Sequence, residues 1–160
     1  MRIDELFSKP QKVKWVEKHP DWWRAICDVD GVEYSITCGK NDGYYMSSHG
    51  NRIEIDDFWE LGFGPTNNSL DNRILGLKEP FKLFAIVMAG FFEFITKVKP
   101  QYINFTADGN QPSRVKLYRA FEIKFLPTLE KIGYEKCKTP THRFSIVNNS
   151  RWVGFCFRRN

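Results

Sequence analysis

Between Pro80 and Pro100 lies a segment that would be apolar on almost every side if it formed a helix. Its sequence, FKLFAIVMAGFFEFITKV (residues 81–98), is interrupted mainly by two lysines, one glycine and one glutamate. Proline fits the first turn of a helix and also stops one at its end, so the flanking prolines set both limits. A helix that is apolar all round must be covered all round, and this one is too short to span a bilayer. The segment therefore predicts a central, buried helix.

The residues before this helix have the pattern of antiparallel strands. WWRAICDV and VEYSITC are rich in strand-forming residues and are separated by Asp30-Gly31, a typical hairpin turn. A second turn is predicted at residues 39–43, Gly-Lys-Asn-Asp-Gly, because this stretch contains two glycines. NRIEIDDFWELGF then supplies a strand with alternating isoleucines. From residue 21 onward we expect a three-stranded antiparallel meander.

After the central helix the pattern alternates between strand and helix. QYINFTA (residues 101–107) predicts a short buried strand, reached by a right-handed crossover from the strand before the helix. Ser113 is a good N-cap for a second helix over residues 113–132, which Pro127 should kink or divide. Strand-like segments close the chain. The predicted order is β-β-β-α-β-α-β-β, a mixed sheet of the α+β or α/β class, with only one or two short helical turns in residues 1–20.

The net charge of +5 conceals an uneven division along the chain. Residues 1–110 contain 13 basic and 16 acidic residues, whereas residues 111–160 contain 11 basic and 3 acidic residues. Aromatic residues make up 16% of the chain, more than a small core normally takes, so we expect some rings at a surface that meets a partner. A basic, aromatic surface fits an acidic patch on a partner protein, and it also fits nucleic acid through phosphate contact and ring stacking. A solvated basic face is the third interpretation.

The four cysteines, Cys27, Cys38, Cys137 and Cys156, are widely spaced and include no Cys-x-x-Cys pair. Such spacing is typical of reduced core thiols rather than of metal ligands, so no metal site is predicted. Residues 1–15 lack the apolar run of a signal peptide, and no stretch of the chain is long and apolar enough for a membrane span. We therefore expect a protein that is neither secreted nor inserted in a membrane.

The segment INFTADGNQPSRVKLYRAF (residues 103–121), followed by Ile-Gly-Tyr-Glu at residues 132–135, resembles part of the GNAT-type N-acetyltransferase fold. In that family a strand ends, an Asn-containing loop turns, and a helix carries a Leu-Tyr pair before a Gly-aromatic step. More specifically, the longer segment FKLFAIVMAGFFEFITKVKPQYINFTADGNQPSRVKLYRAF (residues 81–121) is similar to divergent GNAT-like proteins of tailed bacteriophages. The resemblance covers residues 70–138, and elsewhere only the number of strands. It implies a single GNAT-like domain over residues 1–160, with residues 1–20 as a shortened N-terminal element.

The resemblance implies acetyl-CoA as the cofactor, with its pyrophosphate held by backbone N–H groups at a helix N-terminus. Family members provide these groups in a glycine-rich turn, which here corresponds to residues 74–81. Pro80 lacks an N–H donor, and Glu79 places a carboxylate where phosphates would lie, so we expect weak or absent acetyl-CoA binding. The residues that the resemblance assigns to the cofactor are Gly76, Leu77, Lys78, Asn110 and Ser113.

Acetyl transfer also needs a base that deprotonates the amine and an acid that protonates the leaving thiolate. By its position in the motif, Tyr118 resembles the tyrosine that acts as this acid in many family members. Glu54, Asp56 and Glu60, on the strand before the central helix, are the candidate bases. Each of these residues also fits a structural role, because Tyr118 lies on an apolar helix face and acidic residues in strands commonly face solvent.

The altered phosphate-binding turn favours a GNAT-like domain that has lost most of its catalytic apparatus. On this hypothesis the protein is phage-encoded and serves binding or structure, as a virion component or as an accessory protein in the host cytoplasm. Its protein partner would meet the basic, aromatic region of residues 111–160. The alternative is an active acyl-CoA-dependent N-acetyltransferase that acts on an amine or a protein, and the third hypothesis is a nucleic-acid-binding module.

Overall fold

The computed structural model of the chain describes residues 13–66, 80–108, 112–142 and 152–160. These residues form eight strands and two helices. The strands are β1 (Lys14–His19), β2 (Trp22–Val29), β3 (Val32–Met46), β4 (Arg52–Pro65), β5 (Tyr102–Asp108), β6 (Tyr134–Cys137), β7 (Thr141–His142) and β8 (Trp152–Arg159). The helices are α1 (Pro80–Val98) and α2 (Pro112–Lys131).

The strands hydrogen bond side by side in the order β1-β2-β3-β4-β5-β8-β6, and the two-residue β7 pairs with β3. The pairs β1–β2, β2–β3, β5–β8 and β6–β8 are antiparallel. Contacts between β4 and β5 instead advance in the same chain direction, from Asp57 with Gln101 to Glu60 with Asn104. Parallel neighbours have this arrangement, so the sheet is mixed.

The predicted GNAT-like order β-β-β-α-β-α-β-β is wrong. The described residues contain eight strands where six were expected, and only two helices, so the protein is predominantly β. One additional strand is β1, in a segment whose prolines predict only helical turns. It pairs along β2 from Lys14 opposite Ile26 to His19 opposite Trp22, and this long-range pairing outweighs the local preference. A strand, loop and helix like those that carry the resemblance occur in many folds, so they do not determine the fold of the complete chain.

The hairpin predicted at Asp30-Gly31 is confirmed, because β2 and β3 pair in register down to Val29 opposite Val32. Both turn residues have positive φ values, 53° and 79°, which a tight turn of this kind requires. The second turn, predicted at residues 39–43, is wrong, because β3 continues through these residues as one strand.

The two glycines of that segment serve close packing rather than a turn. A Cβ atom on Gly39 would lie 3.0 Å from the ring of Trp22, and one on Gly43 would lie 3.3 Å from the ring of Phe58. Glycine inside a strand commonly marks such a close approach. The rings that require these glycines are distant in sequence. The segment alone therefore cannot show that its two glycines serve packing, and its composition is typical of a turn.

Contacts divide the described residues into two compact units. The first unit comprises residues 13–39, 61–66 and 80–98, and the second comprises residues 40–60, 99–108, 112–142 and 152–160. The long strands β3 and β4 contribute residues to both units. The single domain expected for residues 1–160 stays a prediction.

The first unit contains α1, and the prediction of a buried helix over these residues is confirmed. Phe94 packs edge-on against Trp23 of β2, with ring centroids 5.4 Å apart. Phe84 packs in the same way against Phe63 of β4, at 5.3 Å. The buried side chains of α1 are Leu83, Phe84, Ala85, Ile86, Val87, Met88, Phe91, Phe94 and Ile95. The first unit is therefore held together mainly by apolar contact.

Within the described part of the second unit, α2 covers one face of the strands. Tyr118 of α2 packs against Phe105 of β5 and Phe155 of β8, with ring centroids 6.4 and 5.9 Å away. Successive side chains of a strand point to opposite faces. Asn104 and Cys156, each next to one of these phenylalanines, therefore belong to the face away from α2.

Helix α2 begins one residue earlier than predicted, at Pro112, so Ser113 lies in its first turn rather than at the N-cap. Proline fits this first position because its missing N–H would have no helical acceptor there. The helix continues through Pro127 to Lys131, so it is not divided there, and the alternative of a kink at Pro127 stays a prediction. The α2 side chains Tyr118, Phe125 and Leu129, on both sides of Pro127, are buried, and such packing stabilises a helix.

Candidate functional site

Four polar or thiol side chains lie in a row across neighbouring strands of the second unit. Asn104 of β5 is opposite Cys156 of β8, and Cys156 is opposite Cys137 of β6. Glu60 of β4 extends the row, because its carboxyl oxygen Oε1 accepts a hydrogen bond of 2.9 Å from Nδ2 of Asn104. We call Glu60, Asn104, Cys156 and Cys137 the polar row.

Glu60 is the acidic member of the polar row, and its carboxyl group is almost enclosed. Its side chain is 12% exposed. The hydroxyl of Thr106 donates a hydrogen bond of 3.1 Å to Oε2, in addition to the bond from Asn104. Burial raises the pKa of Glu60 to about 7, and the two hydrogen bonds counteract this shift only in part. Glu60 therefore gains or loses its proton close to neutral pH.

His142 approaches Glu60 from β7. The pairing of β7 with β3 places His142 opposite Gly43, and its Nδ1 lies 3.3 Å from Oε1 of Glu60. Its ring also packs against Phe58, with ring centroids 5.7 Å apart. Burial lowers the pKa of His142, so the uncharged form of each group is favoured next to the other. Glu60 and His142 are therefore two adjacent buried titratable groups rather than a strong ion pair.

At the other end of the polar row, the thiols of Cys137 and Cys156 hydrogen bond to each other. Cys137 is half-buried and Cys156 is buried. The hydrogen bond from Cys156, aided by the Tyr45 hydroxyl and the charge of Arg158, lowers the pKa of Cys137 to about 7 against the effect of burial. The same thiol–thiol contact, together with burial, raises the pKa of Cys156. The two thiols are thus unequal in acidity.

The structure does not bring the predicted catalytic residues together. Glu54 and Asp56 are exposed on β4, where a carboxyl oxygen of Glu54 lies 3.8 Å from Nε of Arg52. Tyr118 is only 7% exposed and packs on the face of β5 and β8 opposite to the polar row. The third candidate base, Glu60, is enclosed instead, and burial raises its pKa to about 7. The catalytic roles of these residues stay predictions.

Most of the residues assigned to acetyl-CoA binding lie outside the residues that the structure describes. Gly76, Leu77, Lys78 and Asn110 lie outside the described residues, and Ser113 is in the first turn of α2. Acetyl-CoA binding therefore stays a prediction.

Sequence reasoning missed the polar row as a unit, although each member leaves a local signal. Asn104 interrupts the apolar strand of residues 102–107, and Glu60 lies between Trp59 and Leu61, both of which are buried. A polar residue at an enclosed position of a strand needs a hydrogen-bonding partner. That requirement predicts a partner for each residue, but the partners come from distant strands and cannot be identified without the topology.

The outward side of α2 combines an exposed isoleucine with basic side chains. Ile123 is 74% exposed, more than the other exposed large hydrophobic residues of the described chain. Residues three, four and seven positions apart lie on the same side of a helix. The exposed residues three, four or seven positions from Ile123 are Lys116, Arg119, Ala120, Pro127 and Glu130, and the exposed Lys124 and Lys131 lie beside them; together with Ile123 we call these residues the basic face. Glu130 is exposed at its C-terminal end.

Comparison with known proteins gives no relative from which a function could be transferred. No known protein family and no curated protein matches the chain. Among the described residues there is no group of three or more His, Cys, Asp or Glu side chains arranged to hold a metal ion. Neither helix in the described ranges is long and apolar enough to cross a bilayer.

Proposed function

We propose that the protein is a binding domain without catalytic activity, and that the basic face of α2 binds an acidic, partly apolar segment of another protein. The observation behind this proposal is Ile123, which is 74% exposed at the centre of a cationic helix face. A single exposed isoleucine is common on protein surfaces. Here Ala120 and Pro127 extend it into an apolar stripe between basic residues, and such a stripe can bury surface against a partner.

The charge of α2 favours an acidic partner. The helix contains five basic and two acidic residues. One of the acidic residues, Glu122, is only 15% exposed and accepts a hydrogen bond of 2.9 Å from Lys136. Within the described ranges neither Lys116 nor Arg119 forms an ion pair. An acidic segment would supply the missing countercharge, and charge attraction would speed its approach at low salt.

Both arginines of β8 in the described part of this region, Arg158 and Arg159, already have partners. Arg158 forms an ion pair with Glu135 across β6 and β8. Arg159 donates a hydrogen bond of 3.3 Å to Oε1 of Gln101. A partner that used these residues would have to compete with existing bonds, so we expect α2 rather than β8 to contribute most of the interface.

Two observations favour a protein partner over nucleic acid. The apolar stripe of the basic face offers no donor to phosphate, and bases need exposed rings to stack on. The aromatic side chains near α2 are instead buried among themselves: Tyr118, Phe125, Phe155 and Phe157. An acetyltransferase is also less well supported, because Tyr118 and Glu60 belong to opposite faces of the strands and cannot act on the same substrate atom.

Fluorescence anisotropy with a labelled acidic amphipathic peptide of leucine and glutamate tests the proposal. We expect a Kd of about 10–100 µM at low salt, which a peptide-sized interface can provide. Ile123→Asp and Arg119→Glu should each weaken binding by at least about tenfold, because they remove the apolar contact or reverse the charge. The matched controls are Ile53→Asp and Lys82→Glu, which change exposed residues of other elements than α2 and should leave the affinity unchanged.

The competing functions are separate arms of the same experiment. Equal losses from the control variants, or tighter binding of a DNA duplex than of the peptide, would contradict the proposal. Calorimetric titration with acetyl-CoA should give a Kd weaker than about 1 mM, since the predicted turn has lost pyrophosphate donors. A micromolar value would instead favour an acyl-CoA-dependent enzyme.

A further inference from the structure

The two thiols of the polar row are placed for a covalent bond. Cys137 and Cys156 are directly opposite each other in the antiparallel pair of β6 and β8. Opposite residues of such a pair have Cα atoms about 4.5 or 5.5 Å apart, which lies within the range of about 4.4–6.8 Å found for disulfides. The thiols already contact each other through a hydrogen bond, although no disulfide is formed. The Cα spacing of the pair is therefore compatible with a disulfide, which would also need the two Cβ atoms to move slightly closer together.

The two thiols differ in exposure and in pKa, so one can react first with an oxidant and the other can then form the disulfide with it. Cys137 is half-buried and its pKa is lowered to about 7, so its thiolate is favoured more than that of an ordinary cysteine. Cys156 is 1% exposed, and contact with Cys137 raises its pKa, so it stays protonated. The thiolate is the form that reacts with oxidants. Cys137 is therefore the first thiol to react, and Cys156 is the thiol held next to the product.

We propose that Cys137 and Cys156 are a reversible redox pair, oxidised by peroxide to a disulfide that links β6 to β8. In the first step the Cys137 thiolate attacks hydrogen peroxide, the O–O bond breaks, and Cys137 becomes a sulfenic acid while hydroxide leaves. In the second step the Cys156 sulfur attacks the Cys137 sulfur, the S–S bond forms, and the S–O bond breaks. The sulfenic hydroxyl leaves with the proton of Cys156 as water. Two thiols have then lost two electrons, which reduce one peroxide to water.

The other two cysteines provide an internal comparison. Cys27 is half-buried like Cys137, but burial raises its pKa to about 11, and its cross-strand neighbour is Tyr34 rather than a thiol. Cys38 is buried opposite Trp23. Neither has the acidity or the neighbour that the redox pair has, so exposure alone does not make a cysteine of this chain reactive.

Peroxide treatment of the unmodified full chain tests the proposal directly. Free thiols should fall from four to two, and dithiothreitol should restore all four. Tryptic mapping should find residues 137–138 joined to residues 152–158, with Cys27 and Cys38 unchanged. Iodoacetamide should alkylate Cys137 at least about tenfold faster than Cys27 at neutral pH. Retention of all four thiols, or oxidation of Cys27 as fast as Cys137, would overturn the proposal.

Two pairs of variants separate the roles within the redox pair. Cys156→Ser should leave Cys137 as a sulfenic acid that dimedone traps, whereas Cys27→Ser should still form the disulfide. The Tyr45 hydroxyl donates to the carbonyl oxygen of Lys138 and also lowers the pKa of Cys137, so Tyr45→Phe should move the midpoint of Cys137 alkylation to higher pH. Tyr44→Phe, at a ring that stacks on Arg52 instead, should leave the midpoint unchanged. An unshifted midpoint in Tyr45→Phe, or a disulfide that forms without Cys156, would contradict these assignments.

Discussion

The two compact units of this protein bury their strands in different ways. In the first unit, α1 is apolar on almost every side, and the rings of Phe94 and Phe84 lock it against strands. In the second unit, α2 is apolar only on its inner side, and the opposite face of the strands carries the polar row. An apolar core of the first kind contributes stability and little else. The second arrangement contains titratable groups and thiols in the polar row, and an exposed helix face that is available for binding.

The first unit should show the largest effect of a single truncation. Phe91 of α1 is completely buried, so Phe91→Ala should lower the free energy of unfolding by about 3–5 kcal/mol, through lost transfer energy and the cavity left behind. Urea unfolding measures this loss. Phe92→Ala, at the neighbouring half-buried position, is the matched control and should cost clearly less. A loss below about 1 kcal/mol for Phe91→Ala would show that α1 is not the core that the sequence pattern predicts.

The polar row should make the stability of the protein depend on pH through Glu60. Its folded pKa, about 7, is above the ordinary value of 4.5, so the folded state holds the proton more tightly. This contribution is complete below the unfolded pKa and is lost as the pH rises through the folded pKa, by about 3 kcal/mol. Glu60→Gln keeps the shape and removes the titration. The stability of the variant relative to the wild type should therefore rise by that amount between about pH 4.5 and pH 8.

Other groups near Glu60 also titrate. The informative quantity is therefore the difference in the free energy of unfolding between Glu60→Gln and the wild type, in which their contributions largely cancel. Burial lowers the pKa of His142, so its contribution has the opposite sign and is lost as the pH falls below 6.5. Glu54→Gln, at an exposed carboxyl of the same strand, is the matched control and should give a flat difference. A flat difference for Glu60→Gln as well would mean that the carboxyl group is solvated in the folded protein.

Local patterns predicted part of this structure, and contacts between distant segments decided the rest. The limits of α1 and the turn at Asp30-Gly31 follow from residues within one element, so they could be predicted. The strand β1 and the continuation of β3 through Gly43 depend on partners far along the chain, β2 and Phe58. The polar row has the same origin, because its four members come from four strands whose order only the folded chain reveals.

The basic face should show the smallest effect on stability. Ile123 is 74% exposed, and isoleucine and aspartate differ little in helix propensity, so Ile123→Asp should change the free energy of unfolding by less than about 0.5 kcal/mol. Thermal unfolding of the variant and the wild type measures this difference. A loss above about 1 kcal/mol would mean that Ile123 packs inside the protein, and its effect on binding would then lose its meaning.

The central claim is that α2 presents a surface for an acidic partner, and amide chemical-shift mapping tests it most directly. Titration of the labelled full chain with the acidic amphipathic peptide should shift the amides of α2 around Lys116, Arg119 and Ile123. The exposed apolar residues Met46 and Ile53 should stay unchanged, because their region has no comparable cluster of basic residues. Shifts centred on Met46 and Ile53, or no shifts at any peptide concentration, would contradict the account.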